Sequence, residues 1–310
     1  CRKDTFPATV LAASYLYDVE KIAYDEPVVV CPVDPFVGEK YFEALKNIAE
    51  FVVTNDAELT LMGIEPTYPS EKYGYIIPLS DKDICFVKAF KEKPDIKTAE
   101  SYLEQGALWN SGIFAFKLGY LLERAHQIIR FSDYYDLYNK YSTLTSISFD
   151  YAIVEKTKKI QVMRFSGKWS DIGTWNTLTE VMDETYVGNV IMDEKCKNTH
   201  VVNELDMPVL CMGTENVVVA ASPQGILVSD KERSSYIKPY IDQIGQPIMF
   251  AEKTWGSFQI LDIGDASVTI KVILKTGKHM NYHSHEKRSE VWTIISGEGK
   301  AIINDTKQYV

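Results

Sequence analysis

The sequence has 310 residues, enough for about two domains. Apolar residues make up 45% of it and charged residues 25%, which suits a folded chain with a substantial core and excludes a disordered one. A net charge of −10 with no basic stripe argues against a nucleic-acid partner, and no apolar run nears the roughly 20 residues that span a bilayer.

Residues 4–20 are predicted helical, with Asp4 or Thr5 as N-cap, Pro7 in the first turn, and Val10, Leu11 and Ala13 to Leu16 as the apolar face. PVVVCPVD (Pro27 to Asp34) is a short β-branched run and hence a buried strand that ends at an acid. A helical period resumes at Glu39, and ELTLMGI (Glu58 to Ile64) is a second buried strand. This alternation predicts a mostly parallel, Rossmann-like sheet with helices on both faces. In such sheets ligands sit at the carboxyl ends of strands, where Asp34 falls.

Further on, ICFVKAFKEKPD is a strand from Ile84 that runs into a charged turn, residues 96–105 are helical, and NSGIFAFK (Asn110 to Lys117) is a strand. YYDLYNKY (Tyr134 to Tyr141) is an amphipathic helix packing its rings into the core rather than a stacking platform. A helix from Phe149, a strand from Ile160 and a loop entering a helix at GKWSDIGTWNTL complete an α/β domain, residues 1–184. Between residues 185 and 250, five short β runs at about ten-residue spacing predict a β-helix-like stack, followed by a linking helix at KERSSYIKPYIDQI. From residue 251 to 310, SFQILDIG, SVTIKVIL, EVWTIISG and KAIIND alternate like the strands of a partial β-barrel. Cys1, Cys31, Cys85, Cys196 and Cys211 are scattered without CxxC spacing, and no signal-peptide pattern is visible. Free thiols in the cytoplasm are expected.

Several residue groups can carry chemistry. Asp34 and Asp171 follow β runs on distant segments. Two such carboxylates can hold a Mg²⁺ ion that also binds substrate phosphates, although an Asp after a strand is as readily a turn or cap residue. In FKEKPD, Lys93 can meet a phosphate as a point charge and Glu92 can accept sugar hydroxyls, or the segment is a solvated turn. In WNSG, Asn110 offers an amide beside Gly112, where a ligand can approach the backbone; a turn entering a strand explains it equally well. His283 and His285 are two apart and share a strand face, with Glu290 at the start of the next run, a ligand set for a divalent transition metal. There is no GxSxG, HExxH, GxGxxG or Walker A motif.

Taken together, these segments resemble the mannose-1-phosphate guanylyltransferases, sugar-phosphate nucleotidyltransferases that often carry a C-terminal cupin domain related to type II mannose-6-phosphate isomerase. The likeness is carried by RKDTFPA, CPVDPFV, EKYGYI, FKEKPD, WNSGIFAFK, FDYAIVEKT, KWSDIGTW and, for the cupin, by the His-x-His…Glu pattern. It implies transfer of a nucleotidyl group from GTP to mannose 1-phosphate, giving GDP-mannose and pyrophosphate. By position, Asp34 and Asp171 would hold Mg²⁺, Lys93 would bind the sugar phosphate, and Glu92 and Asn110 the sugar hydroxyls. Gly74, Tyr75 and Gly112 would line the sugar pocket, while Arg2 and Lys156 would reach phosphate or nucleotide. His283, His285 and Glu290 would hold a second divalent metal. The family's opening glycine-rich phosphate loop is missing from this sequence, implying that about eighty residues precede Cys1 in a complete relative. The cupin run departs from the isomerases' HHHRAEHW, so an accessory cupin is expected. Two alternatives remain, a metal-dependent mannose-6-phosphate isomerase at the cupin and a non-catalytic sugar-nucleotide-binding relative. The β-rich middle segment is the candidate for homo-oligomer contacts.

Overall fold

The computed structural model describes residues 2–54, 56–241, 243–245 and 247–309. The chain forms two compact units, Cys1–Val181 and Met182–Val310. Cys1, read as a free thiol, lies outside the described residues; Cys31, Cys85, Cys196 and Cys211 are free.

In chain order the first unit contains α1 (Thr5–Asp18), β1 (Pro27–Val30), β2 (Phe36–Val37), α2 (Lys40–Thr54), β3 (Leu59–Ile64), β4 (Tyr75–Pro78), β5 (Ile84–Lys91) and α3 (Ile96–Glu104). It continues with β6 (Leu108–Lys117), α4 (Leu118–Ile128), α5 (Tyr134–Lys140), α6 (Phe149–Ala152), β7 (Ile160–Phe165), β8 (Trp169–Ser170) and α7 (Trp175–Val181). Asp4 caps α1, its Oδ1 accepting from the Thr5 N–H at 2.7 Å. The Thr5 hydroxyl instead accepts from the Phe149 N–H at 2.8 Å and ties α1 to α6. β1 stops at Val30, four residues short of Asp34, because Pro32 has no N–H for a ladder.

The main sheet has the order β1-β6-β3-β7-β5-β4, with β6 also reaching β4. β1, β3, β4 and β7 run in one direction, as the alternating pattern implies, but β5 and β6 run against them. Only β3 and β7 pair in parallel, so the expectation of a mostly parallel sheet is corrected to a mixed one. The reason is local. β6 is ten residues long and inserts between β1 and β3, which a strand-to-strand alternation read along the chain does not reveal. Both faces are covered. On β3, Leu59 and Leu61 enter one core with Phe6, Phe116 and Phe149, while Met62 and Ile64 enter another with Tyr41, Ile48 and Trp109. In α5 only Leu137 is buried; Tyr135 and Tyr138 are exposed and Tyr134 packs edge-on against Tyr15, so the expected core packing of these rings is corrected.

The second unit begins with β9 (Tyr186–Val187), β10 (Val190–Met192), β11 (His200–Asn203), β12 (Val209–Cys211), β13 (Val217–Ser222) and β14 (Gly225–Asp230). β9, β11 and β13 stack in parallel, as do β10 and β12, so successive coils repeat the β-helix pattern around Val201, Cys211 and Val219. At one corner Asn198 and Asn216 both adopt left-handed backbone. The Asn198 Nδ2 donates to Asn216 Oδ1 at 2.8 Å, and the Lys231 Nζ donates to Asn198 Oδ1 at 2.6 Å. Gly188 turns with φ 92, and a Cβ there would run into the Asn203 carbonyl oxygen. Gly188→Ala is expected to lower stability by about 2 kcal/mol, read as a shifted urea midpoint with an unchanged m-value.

The linking helix expected at KERSSYIKPYIDQI is reduced to a single 3₁₀ turn at Arg233–Tyr236 and α8 (Lys238–Ile241), since Pro239 removes a backbone donor. β15 (Phe250–Lys253), β16 (Gly256–Ile263) and β17 (Val268–Leu274) form an antiparallel sheet, and β18 (Lys300–Ile303) and β19 (Thr306–Tyr309) a hairpin turning on Asn304 and Asp305 with positive φ. EVWTIISG, expected as a strand, has no regular structure: among the described residues no strand pairs with it, and a lone strand lacks the ladder that would hold it.

Candidate active site

Two short strands decide where the acidic residues meet. β2 pairs antiparallel with β8, Phe36 opposite Ser170 and Val37 opposite Trp169. Continued by one residue, that register sets Asp171 across from Pro35, next to Asp34. The ladder therefore brings carboxylates 137 positions apart in the chain to one end of a ribbon. Both are exposed. Asp171 Oδ1 accepts from the Gly173 N–H at 2.8 Å, fixing the turn, and no hydrogen bond to Asp171 Oδ2 or to the Asp34 carboxylate is present among the described residues. Tyr41, whose buried hydroxyl has no partner either, is pushed up to about 12 by burial, with Cys31 and Asp34 adding to it. Two exposed carboxylates with unused lone pairs are a donor set that fits a hard divalent cation such as Mg²⁺.

A second cluster gathers at the β4, β5 and β6 strand ends. Glu92, just past β5, is buried, and Lys93 Nζ lies 3.1 Å from its Oε1. Lys93 has φ 44, a strained backbone for a residue with a side chain, of the kind found where function fixes the geometry. Burial lowers the Lys93 ammonium, but the Glu92 ion pair outweighs it and the group sits above the usual lysine value. Gly74 packs so closely that a Cβ would lie 2.5 Å from Glu92 Oε2 and 3.3 Å from the Asn110 Cβ. The Asn110 N–H donates to the Gly74 carbonyl at 2.8 Å, and Asn110 Oδ1 accepts from the Gly112 N–H at 3.2 Å. Gly112 has φ 75 and faces Pro32, two residues before Asp34.

Asp150, in the first turn of α6, belongs to this cluster: its Oδ1 accepts from Asn110 Nδ2 at 2.7 Å. Burial, then the Glu92 charge, pushes its carboxyl up to about 6. Sequence reasoning passed over Asp150, reading FDYAIVEKT as a helix and as part of the family likeness but taking only Lys156 from it as a candidate; the one signal was an acid in an otherwise apolar helix start.

An aromatic wall joins the two clusters. The Tyr73 ring is 4.6 Å from Trp109 and 6.1 Å from Trp169, and Tyr68 stands edge-on to Trp109 at 5.1 Å. The indole N–H groups of Trp109 and Trp169 are buried without partners. Tyr73 is raised by burial, then by Tyr68 and Asp171, which marks the wall as adjoining the acidic pair. Tyr75 does not line a pocket: its side chain is fully buried and its hydroxyl accepts from the Ser70 N–H at 2.9 Å, so it braces the wall from behind. Arg2 and Lys156 are exposed, with no side-chain hydrogen bond or ion pair among the described residues.

Comparison with known proteins bears on this arrangement. The profile of the nucleotidyl transferase family matches residues 2–186. The chain belongs to that family. This nucleotidyl transferase is 28% identical to mannose-1-phosphate guanylyltransferase 2 of Escherichia coli O157:H7, over 100% of this chain and 72% of the relative. It is likewise 28% identical to the xanthan biosynthesis protein XanB of Xanthomonas campestris pv. campestris, over 98% and 70%. A crystal structure of a protein called mannose-1-phosphate geranyltransferase, from Thermus thermophilus, superposes with a TM-score of 0.66 at 25% identity, over 79% of this chain and 76% of that one.

The transferase's second unit holds a separate cluster. His283, His285 and Glu290 are exposed, and their donor atoms lie within 4.8 Å of one another. His285 Nε2 is 2.8 Å from Glu290 Oε1, and the Trp292 indole N–H donates to Glu290 Oε2 at 3.0 Å. That hydrogen bond is the largest cause holding Glu290 below the usual carboxylate range; burial opposes it, and His285, Arg288 and His283 beside it add to it. Two imidazoles and a carboxylate fit a divalent transition metal. The Arg288 guanidinium, 3.3 Å from Glu290 Oε1 and 3.0 Å from His285 Nε2, covers the same donor atoms and must swing out for an ion to bind. Among the described residues no helix is long and apolar enough to cross a membrane.

Proposed function

We propose that this transferase joins GTP to mannose 1-phosphate, releasing pyrophosphate and forming GDP-mannose. The observation that supports the reading is the β2–β8 ladder, whose register, continued by one residue, brings Asp171 opposite Pro35 and so next to Asp34. An oxygen of the sugar phosphate attacks the α-phosphorus, and the bond to the pyrophosphate leaving group breaks. Asp34 and Asp171 would hold Mg²⁺, which would supply positive charge against the crowded phosphates. Lys93 meets the sugar phosphate, Glu92 accepts from a sugar hydroxyl, and Asn110 donates to another. Gly74 and Gly112 let the sugar approach the backbone. Arg2 and Lys156 are the candidates for contacts with phosphate or nucleotide. No covalent nucleophile is required, because the chemistry is positioning and charge neutralisation.

The same reading divides the second unit into a β-helix-like segment, 185–250, which mediates homo-oligomer contacts, and an accessory partial cupin, 251–310, that binds a second divalent metal at His283, His285 and Glu290. The enzyme works in the cytoplasm. The test is pyrophosphate release across a panel of nucleoside triphosphates and sugar 1-phosphates. GTP with mannose 1-phosphate is expected to be the fastest pair, and EDTA to abolish turnover until excess Mg²⁺ is restored. Turnover insensitive to EDTA sinks the metal assignment, and a faster pair sinks the substrate assignment. The cluster at His283 motivates a second reading, a metal-dependent sugar-phosphate isomerase. Under it His283→Ala abolishes isomerisation and spares pyrophosphate release.

A further inference from the structure

We propose that Asp150 is a positioning residue for the acceptor sugar: it locks the Asn110 amide in the orientation that leaves the second Nδ2 hydrogen available to a sugar hydroxyl. The inference rests on the acceptor-pocket reading given above. Asn110 is held at three points. Its N–H donates to the Gly74 carbonyl, its Oδ1 accepts from the Gly112 N–H at 3.2 Å, and its Nδ2 donates to Asp150 Oδ1 at 2.7 Å. Flipping the amide would set Nδ2 against the Gly112 donor and Oδ1 against the Asp150 carboxylate, two repulsive pairings in place of two hydrogen bonds. The Gly112 contact is the longer of the two, so Asp150 supplies the stronger, charge-assisted half of the lock.

The surroundings support a functional reason for this acid. Glu92 already lies in the same pocket, with Lys93 as its ion-pair partner. A second carboxyl there is held against burial and against the Glu92 charge, an arrangement more often kept for chemistry than for stability. Asp150 reaches the sugar through Asn110, so the consequence of losing it falls on acceptor binding rather than on the nucleotide or the reacting phosphate.

Steady-state kinetics on the full protein test this. Asp150→Ala is expected to raise KM for mannose 1-phosphate about tenfold, with KM for GTP and kcat within about twofold of wild type. Asp150→Asn, whose amide oxygen can accept from Asn110, is expected to restore the wild-type KM. In an Asn110→Ala background, Asp150→Ala is expected to add nothing to the sugar KM. Should the alanine variant fail to fold, Asp150→Leu fills the space without an acceptor and carries the same expectation. Equal KM increases for both substrates, no rescue by Asn, or an undiminished effect without Asn110 each overturn the proposal. Wild-type protein that turns over no sugar 1-phosphate instead removes the acceptor-pocket reading and this inference with it.

Discussion

Asp171→Asn is expected to cut pyrophosphate release by about a thousandfold while leaving the fold and its melting temperature close to wild type. The choice of asparagine matters. Asp171 Oδ1 accepts the Gly173 N–H at 2.8 Å, and an asparagine oxygen can do the same, so the turn before α7 survives. What is lost is the negative charge beside Asp34. A divalent ion held by two carboxylates loses much of its affinity when one becomes neutral, and phosphoryl chemistry of this kind depends on charge neutralisation more than on any reacting side chain. Asp171→Ala removes both the turn bond and the charge. If the charge is what counts, the two variants should be almost equally inactive although only the alanine form loosens the turn. Raised Mg²⁺ should partly restore Asp171→Asn, and His283→Ala should leave release unchanged. Activity of Asp171→Asn within tenfold of wild type, at ordinary Mg²⁺, would show that Asp171 only shapes the turn.

Much of this architecture is legible in the chain. β3 reads as a buried strand because all six residues are apolar, small or β-branched and both faces are covered. The stacked coils read from their spacing, since each short β run has too little area to stand alone. What does not read is anything set by partners far off in sequence. β5 and β6 look like any other apolar run, and only the register against β1, β3 and β4 reveals that they run the other way. α4 is a different case. Leu118, Leu121, Leu122 and Ala125 lie at helical spacing on its buried face, so the signal was present and unused. The tyrosines of α5 mislead for a physical reason: a ring with a hydroxyl is stable half in water, so its period does not report which face is buried. In the site, Asp34, Glu92 and Asn110 stand out beside glycine, proline or opposite charge. Asp150 does not, because its meaning lies in the Asn110 amide forty positions away.

Asp150→Asn is expected to make the protein more stable at pH 8 and to leave its stability at pH 4 almost unchanged. The carboxyl sits at about 6 in the folded chain, chiefly through burial and then the Glu92 charge, against about 3.9 when unfolded. A raised folded value means the native state binds the proton more tightly than the unfolded chain. The resulting stability is fully present below about pH 4 and is lost as pH rises through about 6. Above that window the ionised group costs up to about 3 kcal/mol, from a shift of roughly two units. An asparagine carries no charge to desolvate and still offers Asn110 an oxygen, so the penalty disappears while the hydrogen bond stays. Urea titrations of wild type and variant from pH 4 to 8 should therefore diverge in steps centred between 4 and 6, with the variant above. Parallel curves would mean that Asp150 is ionised at its ordinary value and that neither burial nor Glu92 strains it. A gap that closes on heading to acid, in a variant that still binds mannose 1-phosphate, would show that the acid at this position is maintained at the expense of stability while an uncharged acceptor suffices to hold the Asn110 amide.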